Sequence, residues 1–136
     1  LGETMLPPAF CLAALAVTLA LEPCPCTGSF AMVTLAVTDA AGRPITDADV
    51  KAVSRRSHQP LSSGLDAPSR DFLASRGHYL LADDGMRNHL TPANDTLDIT
   101  VTREGRRATA RVVIGLDQPC KCHVARLAGP DTVILR

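Results

Sequence analysis

Residues 96–114 contain two runs of alternating apolar residues on either side of a turn signal. Apolar side chains recur at every second position, at Leu97, Ile99 and Val101 and then at Ala108, Ala110, Val112 and Ile114. The residues between the two runs, 103–106, are polar and include Gly105. Alternation with a period of two is typical of a half-buried strand, and a short turn containing glycine joins two such strands. The sequence therefore predicts a long β-hairpin over residues 96–114.

Other parts of the chain carry shorter strand signals. They occur at four places: 33–38, 49–54, 78–82 and 132–135. Residues 58–69 and 83–94 are polar and contain Gly and Pro, so we expect loops there and no helix after residue 29. A length of 136 residues fits one domain. The predicted fold is an all-β, antiparallel β-sandwich of about seven strands that occupies residues 30–136.

The first 29 residues differ from the rest. Residues 9–21 are thirteen residues without a charge, too few to span a bilayer but enough for the core of a signal peptide. No Lys or Arg precedes this run, so a buried helix or a misassigned translation start is the alternative. We expect residues 1–29 to form an apolar, signal-like helix and a linker that contains cysteines. The protein would then be exported (periplasmic, cell-surface or secreted) and would meet a membrane only through this segment.

Four of the five cysteines form two C-x-C pairs near the two ends of the chain. The candidates for disulfide bonds are Cys24, Cys26, Cys120 and Cys122. A bridge within one C-x-C pair would be strained, so we expect at least one bridge between the two pairs, with the choice of partners left open. The alternative is a metal site in which the four thiolates and the imidazole of His123 bind zinc or cuprous copper.

Composition argues against several classes of protein. Fourteen Lys and Arg balance fourteen Asp and Glu, so no excess positive charge attracts nucleic acid. Aromatic residues make up 3%, which leaves little for stacking on bases or sugars. We therefore expect no nucleic-acid partner and no cofactor, and a partner that is an unidentified protein or polysaccharide.

The polar residues suggest no catalytic group, and we expect the protein not to be an enzyme. Ser57 and His58 are neighbours in a predicted loop, and no acid is placed beside them. We interpret Asp47 with Asp49, and Asp83 with Asp84, as turn-forming acids. Four arginines near the hairpin turn are expected on one solvated face that could bind an anionic polysaccharide or a protein partner: Arg103, Arg106, Arg107 and Arg111.

Several short motifs together resemble a known family. They are Val33–Asp39, Gly42-Arg43-Pro44-Ile45, Ala48-Asp49-Val50, Gly77-His78-Tyr79-Leu80-Leu81 and Cys122-His123-Val124. In this order they resemble the carboxypeptidase regulatory-like domain, a transthyretin-like (prealbumin-like) β-sandwich, in its small exported bacterial form. The resemblance implies the sandwich fold and a structural, adhesion or ligand-binding accessory role. Because no cysteine lies mid-chain, a bridge from Cys122 would have to reach Cys24, Cys26 or its neighbour Cys120. The large excess of Arg over Lys also indicates a bacterial, high-GC origin.

Overall fold

The computed structural model of the protein describes residues 24–136. It contains seven strands: β1 (Met32–Thr38), β2 (Asp49–Ser54), β3 (His78–Asp83), β4 (Asp95–Arg103), β5 (Arg106–Leu116), β6 (Val124–Ala128) and β7 (Thr132–Ile134). Between them lie the helices α1 (Ala67–Ala74) and α2 (Arg87–Leu90) and a 3-10 turn (Asp84–Met86). The expectation of an all-β chain is confirmed, whereas the signal-like helix falls on residues outside those described. Within residues 24–136, no helix has the length and apolar character needed to cross a membrane.

The strands form two sheets. One has the order β3-β1-β7 and the other the order β2-β4-β5-β6. Neighbouring strands are antiparallel except β7, which runs parallel to β1 with Val133 opposite Val37. The prediction of an entirely antiparallel sandwich is therefore wrong at this pair. After β6, the chain passes through residues 129–131 into the other sheet. β7 and β1 are not joined by a hairpin, so no tight turn forces these two strands to run antiparallel.

The predicted alternation corresponds to burial in the core. Leu35, Val37, Val101, Val112 and Ile114 have no exposed surface. Every second side chain of β1, β4 and much of β5 enters this core, while the residues between them stay partly or fully exposed. Hydrophobic burial of one strand face therefore explains why these segments form strands.

The hairpin between β4 and β5 is also confirmed. Its register pairs Arg103 with Arg106, so the turn consists of Glu104 and Gly105 alone. Both turn residues have positive φ, 50° and 76°. Positive φ at both central positions is the requirement of the two-residue turn whose twist matches antiparallel strands. Glycine meets that requirement without a steric cost at the second position.

The expectation of no helix after residue 29 is wrong. Asp66 caps α1 by accepting a hydrogen bond from the Ser69 backbone N–H at 3.0 Å, and Pro68 stands in the first turn. No residue of α1 is buried in the core, and its few apolar residues do not distinguish it from a polar loop in the sequence. Pro68, Phe72 and Leu73 of α1 line an apolar groove of about 400 Å³ together with the earlier residues Met32 and Leu65.

The expectation of a loop over residues 83–94 is also wrong, because this segment contains the 3-10 turn and α2. Its first acid behaves as interpreted. Asp83 is fully buried and accepts hydrogen bonds from the Gly85 N–H at 2.8 Å and from Ser63 Oγ at 2.6 Å. A carboxylate that satisfies such donors stabilises a sharp turn at the end of a strand.

Candidate functional site

Two disulfides join the two C-x-C pairs. Cys24 is bonded to Cys120 and Cys26 to Cys122, with Cα–Cα distances of 5.3 and 5.4 Å. The first cysteine of one pair is bonded to the first of the other, and the second to the second. The sequence left this choice open. Each bridge spans a sequence separation of 96. Together they attach residues 24–31, here called the N-terminal strap, to the segment that leads into β6.

Asp84 holds the other end of the strap. Its Oδ2 accepts a hydrogen bond from the Ala31 N–H at 2.9 Å, and its Oδ1 accepts one from the Val124 N–H at 2.8 Å. The Asp84 N–H in turn donates to the Ala31 carbonyl at 3.2 Å. One carboxylate therefore connects the strap, the end of β3 and the start of β6.

His123 binds the same carboxylate and also reaches the strap. Its Nδ1 lies 2.7 Å from Asp84 Oδ2, and its Nε2 lies 3.1 Å from Thr27 Oγ1. Asp117 accepts a hydrogen bond from the His123 backbone N–H at 2.8 Å, which holds the main chain that carries the ring. Burial raises the pKa of Asp84, but the hydrogen bonds from Ala31, Val124 and His123 outweigh it and hold that pKa below its ordinary value. The carboxylate is therefore ionised at neutral pH.

The atoms of Asp84, His123 and Thr27 stand in the order carboxylate, imidazole, hydroxyl. Sequence reasoning missed this constellation because its members are separated by up to 96 residues, and no local spacing marks them. The sequence marks His123 only as a candidate metal ligand beside the cysteines and as part of the Cys122-His123-Val124 motif. The strap brings the hydroxyl to the imidazole, so the arrangement exists only in the folded, bridged chain.

A second Asp–His cluster lies inside the sandwich and differs in its connections. Asp95, 2% exposed at its side chain, binds both Ser54 Oγ and His89 Nε2, the latter at 2.6 Å, through the same oxygen. Burial raises the pKa of Asp95, while hydrogen bonds from Ser54, His89 and Thr96 lower it by more. The hydroxyl and the imidazole both face the carboxylate, so neither activates the other. This cluster joins β2, β4 and α2 as a structural unit.

The cysteines are not free to bind a metal in this form. All four sulfur atoms that were candidate ligands are bonded in pairs. Among the residues between Cys24 and the C-terminus, no group of three or more His, Cys, Asp or Glu is placed to hold a metal ion. Any site built from these thiolates and His123 would need reduced cysteines.

The four arginines do not share one face, which corrects the expectation. Arg107 and Arg111 are exposed on the outer side of β5. Arg103 lies on the inner side beyond the end of the core, 29% exposed at its side chain and 2.6 Å from Asp47. Arg106 is opposite Arg103 in the register and pairs with Glu104 at 3.8 Å. Arg103 and Arg106 therefore lie on one face of the hairpin and Arg107 and Arg111 on the other. Neighbouring residues in a strand point to opposite faces, so Arg106 and Arg107 cannot share a face.

Comparison of the chain with protein-family models, with curated proteins and with solved structures finds no match. The resemblance to the carboxypeptidase regulatory-like domain therefore stays a prediction. The structure supports the two-sheet β architecture and the paired cysteines without that resemblance. The bridges also agree with an oxidising compartment.

Proposed function

We propose that the protein is an exported β-sandwich accessory module that binds an anionic polysaccharide, and that its main role is binding and not catalysis. Two disulfides support export, because such bonds persist in oxidising compartments outside the cytosol. The observation that carries the proposal is the outer face of the four-stranded sheet. This face joins cationic and hydroxyl side chains on a rigid surface.

The outer sheet face is formed by the side chains that alternate with the core residues of β2, β4 and β5. Its members are Asp49, Lys51, Val53, Thr96, Asp98, Thr100, Thr102, Arg107, Thr109, Arg111 and Val113. Asp49 pairs with Lys51 at 3.4 Å, so the free positive charge of the face comes from its arginines. Thr100 stands directly opposite Thr109, and Thr102 opposite Arg107. Since a sheet fixes the backbone through its hydrogen-bond ladder, the spacing between the points at which these side chains leave the sheet is set before a ligand arrives.

One carboxylate orients two of the cations beside this face. Asp98 Oδ1 lies 3.0 Å from Arg111 Nε, and Asp98 Oδ2 lies 3.0 Å from Arg55 Nε. The hydrogen bond from Arg111 lowers the pKa of Asp98, and the charge of Arg55 adds to the effect. Each guanidinium has five N–H donors in a planar fork, so this contact leaves further donors for a ligand.

Arg107 gives the face its uncompensated positive charge. It is exposed and forms no ion pair with another residue between positions 24 and 136. A cleft of about 350 Å³ lies nearby and is lined by Asp98, Thr100, Thr109 and Arg111 among others. Guanidinium forks match carboxylate and sulfate groups, and threonine hydroxyls both donate to and accept from sugar hydroxyls.

Aromatic stacking does not contribute to this recognition. Tyr79, the only Tyr in a chain without Trp, uses its hydroxyl to donate to the Ile45 carbonyl at 2.8 Å and to accept from the Ala48 N–H at 3.0 Å. Its ring packs against the core. A saccharide on the outer sheet face would therefore be selected by its negative charge, which favours polyuronates or sulfated chains over neutral glucans.

Calorimetric titration with a polyuronate oligosaccharide tests the proposal. Replacing both Arg107 and Arg111 with alanine should weaken binding by about five- to tenfold at low salt, because exposed charge pairs contribute about 0.5–0.7 kcal/mol each. Arg87→Ala, an exposed arginine on α2, is the matched control and should change nothing. High salt should weaken binding of the parent protein. A neutral glucan that binds equally well, or equal losses in the double variant and the control, would contradict the proposal.

Metal analysis separates this function from the alternative of a small metal-binding protein. The purified protein should contain no stoichiometric zinc or copper and no free thiol at Cys24, Cys26, Cys120 or Cys122. Bound metal with alkylatable cysteines would favour the alternative, since thiolates and not disulfides bind these ions.

A further inference from the structure

The geometry around the strap points to a second activity, and we propose that Thr27, His123 and Asp84 form a nucleophilic relay that accepts acyl groups from small activated esters. The distances are those of hydrogen bonds along the whole line, 3.1 Å from Thr27 Oγ1 to His123 Nε2 and 2.7 Å from His123 Nδ1 to Asp84 Oδ2. A hydroxyl, a base and a group that orients the base are the parts that nucleophilic catalysis requires.

The direction of each hydrogen bond follows from Asp84. An ionised carboxylate only accepts, so the proton of a neutral His123 ring must be on Nδ1, and Nε2 carries the lone pair. Thr27 O–H therefore donates to Nε2. Ser29 Oγ lies 2.7 Å from Thr27 Oγ1, and because the Thr27 proton is directed to His123, Ser29 is the donor in this contact. The hydroxyl of Thr27 thus faces a base with the correct tautomer.

A disulfide links the residues that precede Thr27 and His123 in the chain. Thr27 follows Cys26 in the chain, His123 follows Cys122, and these two cysteines are bonded to each other. One covalent bridge therefore keeps the backbones of Thr27 and His123 close together, within reach of the hydrogen bond between their side chains. Such preorganisation lowers the entropy cost of reaching a reactive geometry.

The site is open to small molecules on the hydroxyl side. Thr27 is exposed, whereas the side chains of His123 and Asp84 are only 18% and 12% exposed. A substrate carbonyl can thus approach Oγ1 from solvent while the acid–base pair stays shielded. Shielding strengthens the Asp84–His123 interaction relative to the same pair in water.

The reaction balances with the ester and water as the only reactants. Thr27 Oγ1 forms a bond to the ester carbonyl carbon while His123 Nε2 takes the hydroxyl proton. The ester C–O bond then breaks, and His123 returns the proton to the departing alkoxide. Once Thr27 Oγ1 is engaged, Ser29 O–H is free to donate to the negative oxygen of the tetrahedral intermediate. Water hydrolyses the acyl-threonine by the same route and regenerates the hydroxyl.

The test is site-mapped labelling of the full, disulfide-intact chain. The protein is incubated with p-nitrophenyl acetate or with an alkyl fluorophosphonate, and peptides are mapped by mass spectrometry. We expect the label on Thr27. Thr27→Val, which keeps the shape and removes the hydroxyl, should abolish it, and His123→Gln should slow it at least about tenfold. Thr27→Ser should keep it, and Thr46→Val, at an exposed threonine outside the relay, should match the parent protein.

A further pair of substitutions tests the role of the bridge. Replacing Cys26 and Cys122 together with serine should slow labelling of Thr27, while circular dichroism shows whether the sandwich remains folded. The proposal is overturned if no residue is labelled above the background of denatured protein, or if the label lies on Ser29. It is equally overturned if folded His123→Gln reacts as fast as the parent protein.

Discussion

Replacing Asp84 with asparagine is the most direct test of how the strap is held. The carboxylate uses Oδ2 for the Ala31 N–H and His123 Nδ1, and Oδ1 for the Val124 N–H. An asparagine has one acceptor oxygen, and its amide nitrogen would face a donor in either orientation. The less costly orientation keeps the two bonds at Oδ2 and leaves the Val124 N–H without a partner.

The expected cost follows from that count. An unsatisfied buried donor costs about 1–3 kcal/mol, and the remaining bonds lose the strengthening that an ionised acceptor provides. We expect Asp84→Asn to lower the free energy of unfolding by about 2–3 kcal/mol. Asp71→Asn on the exposed side of α1 is the matched control and should change it by less than about 0.5 kcal/mol.

Urea titration with the disulfides intact measures both variants, and the pH dependence adds an independent check. The pKa of Asp84 is lower in the folded chain than its ordinary value, so its stabilisation is complete above about pH 4 and is lost as the pH falls through the folded pKa. Asparagine does not titrate. The difference between the parent protein and Asp84→Asn should therefore shrink below about pH 4. Equal midpoints for Asp84→Asn and Asp71→Asn at pH 7 would refute the assigned role.

Two further perturbations probe the core and the bridges. Val112→Asp should lower the unfolding free energy by more than about 4 kcal/mol in a denaturant titration, because it places an unpaired charge at a position with no exposure, whereas Arg107→Ala should cost under about 0.5 kcal/mol. Equal effects would mean that the faces of β5 are assigned wrongly. Removing either disulfide alone should cost about 1 kcal/mol or less, since the other closes nearly the same loop, while removing both should cost about 4–5 kcal/mol by the chain-entropy estimate. Additive losses would show that the two bridges act on different loops.

The strand segments could be derived from the sequence because one physical effect determines them locally. In a strand with one buried face, apolar and polar residues must alternate. Leu97, Ile99 and Val101 therefore predict β4 without knowledge of any partner strand. The Glu104–Gly105 turn follows from the same run of residues, since positive φ at a tight turn selects glycine. The spacing of the cysteines also predicted a disulfide between the two C-x-C pairs, but not which cysteine bonds to which.

Helix α1 and the direction of β7 depended on the tertiary structure. α1 is short and has no residue in the core, so its sequence shows too few apolar positions to establish a period, and its Asp66 cap can occur equally in a turn. The direction of β7 is set by the sheet that it joins after leaving β6, which residues 132–134 do not encode by themselves.

The candidate sites depended on the tertiary structure even more strongly. Thr27, Asp84 and His123 are unremarkable polar residues in sequence, and they become a relay only because two bridges and one carboxylate bring the strap to the start of β6. Local hydrophobic pattern determines where strands form, since burial acts on each segment by itself. A site built from distant side chains needs the closed chain, because only the packing of separate segments sets the distances between its atoms.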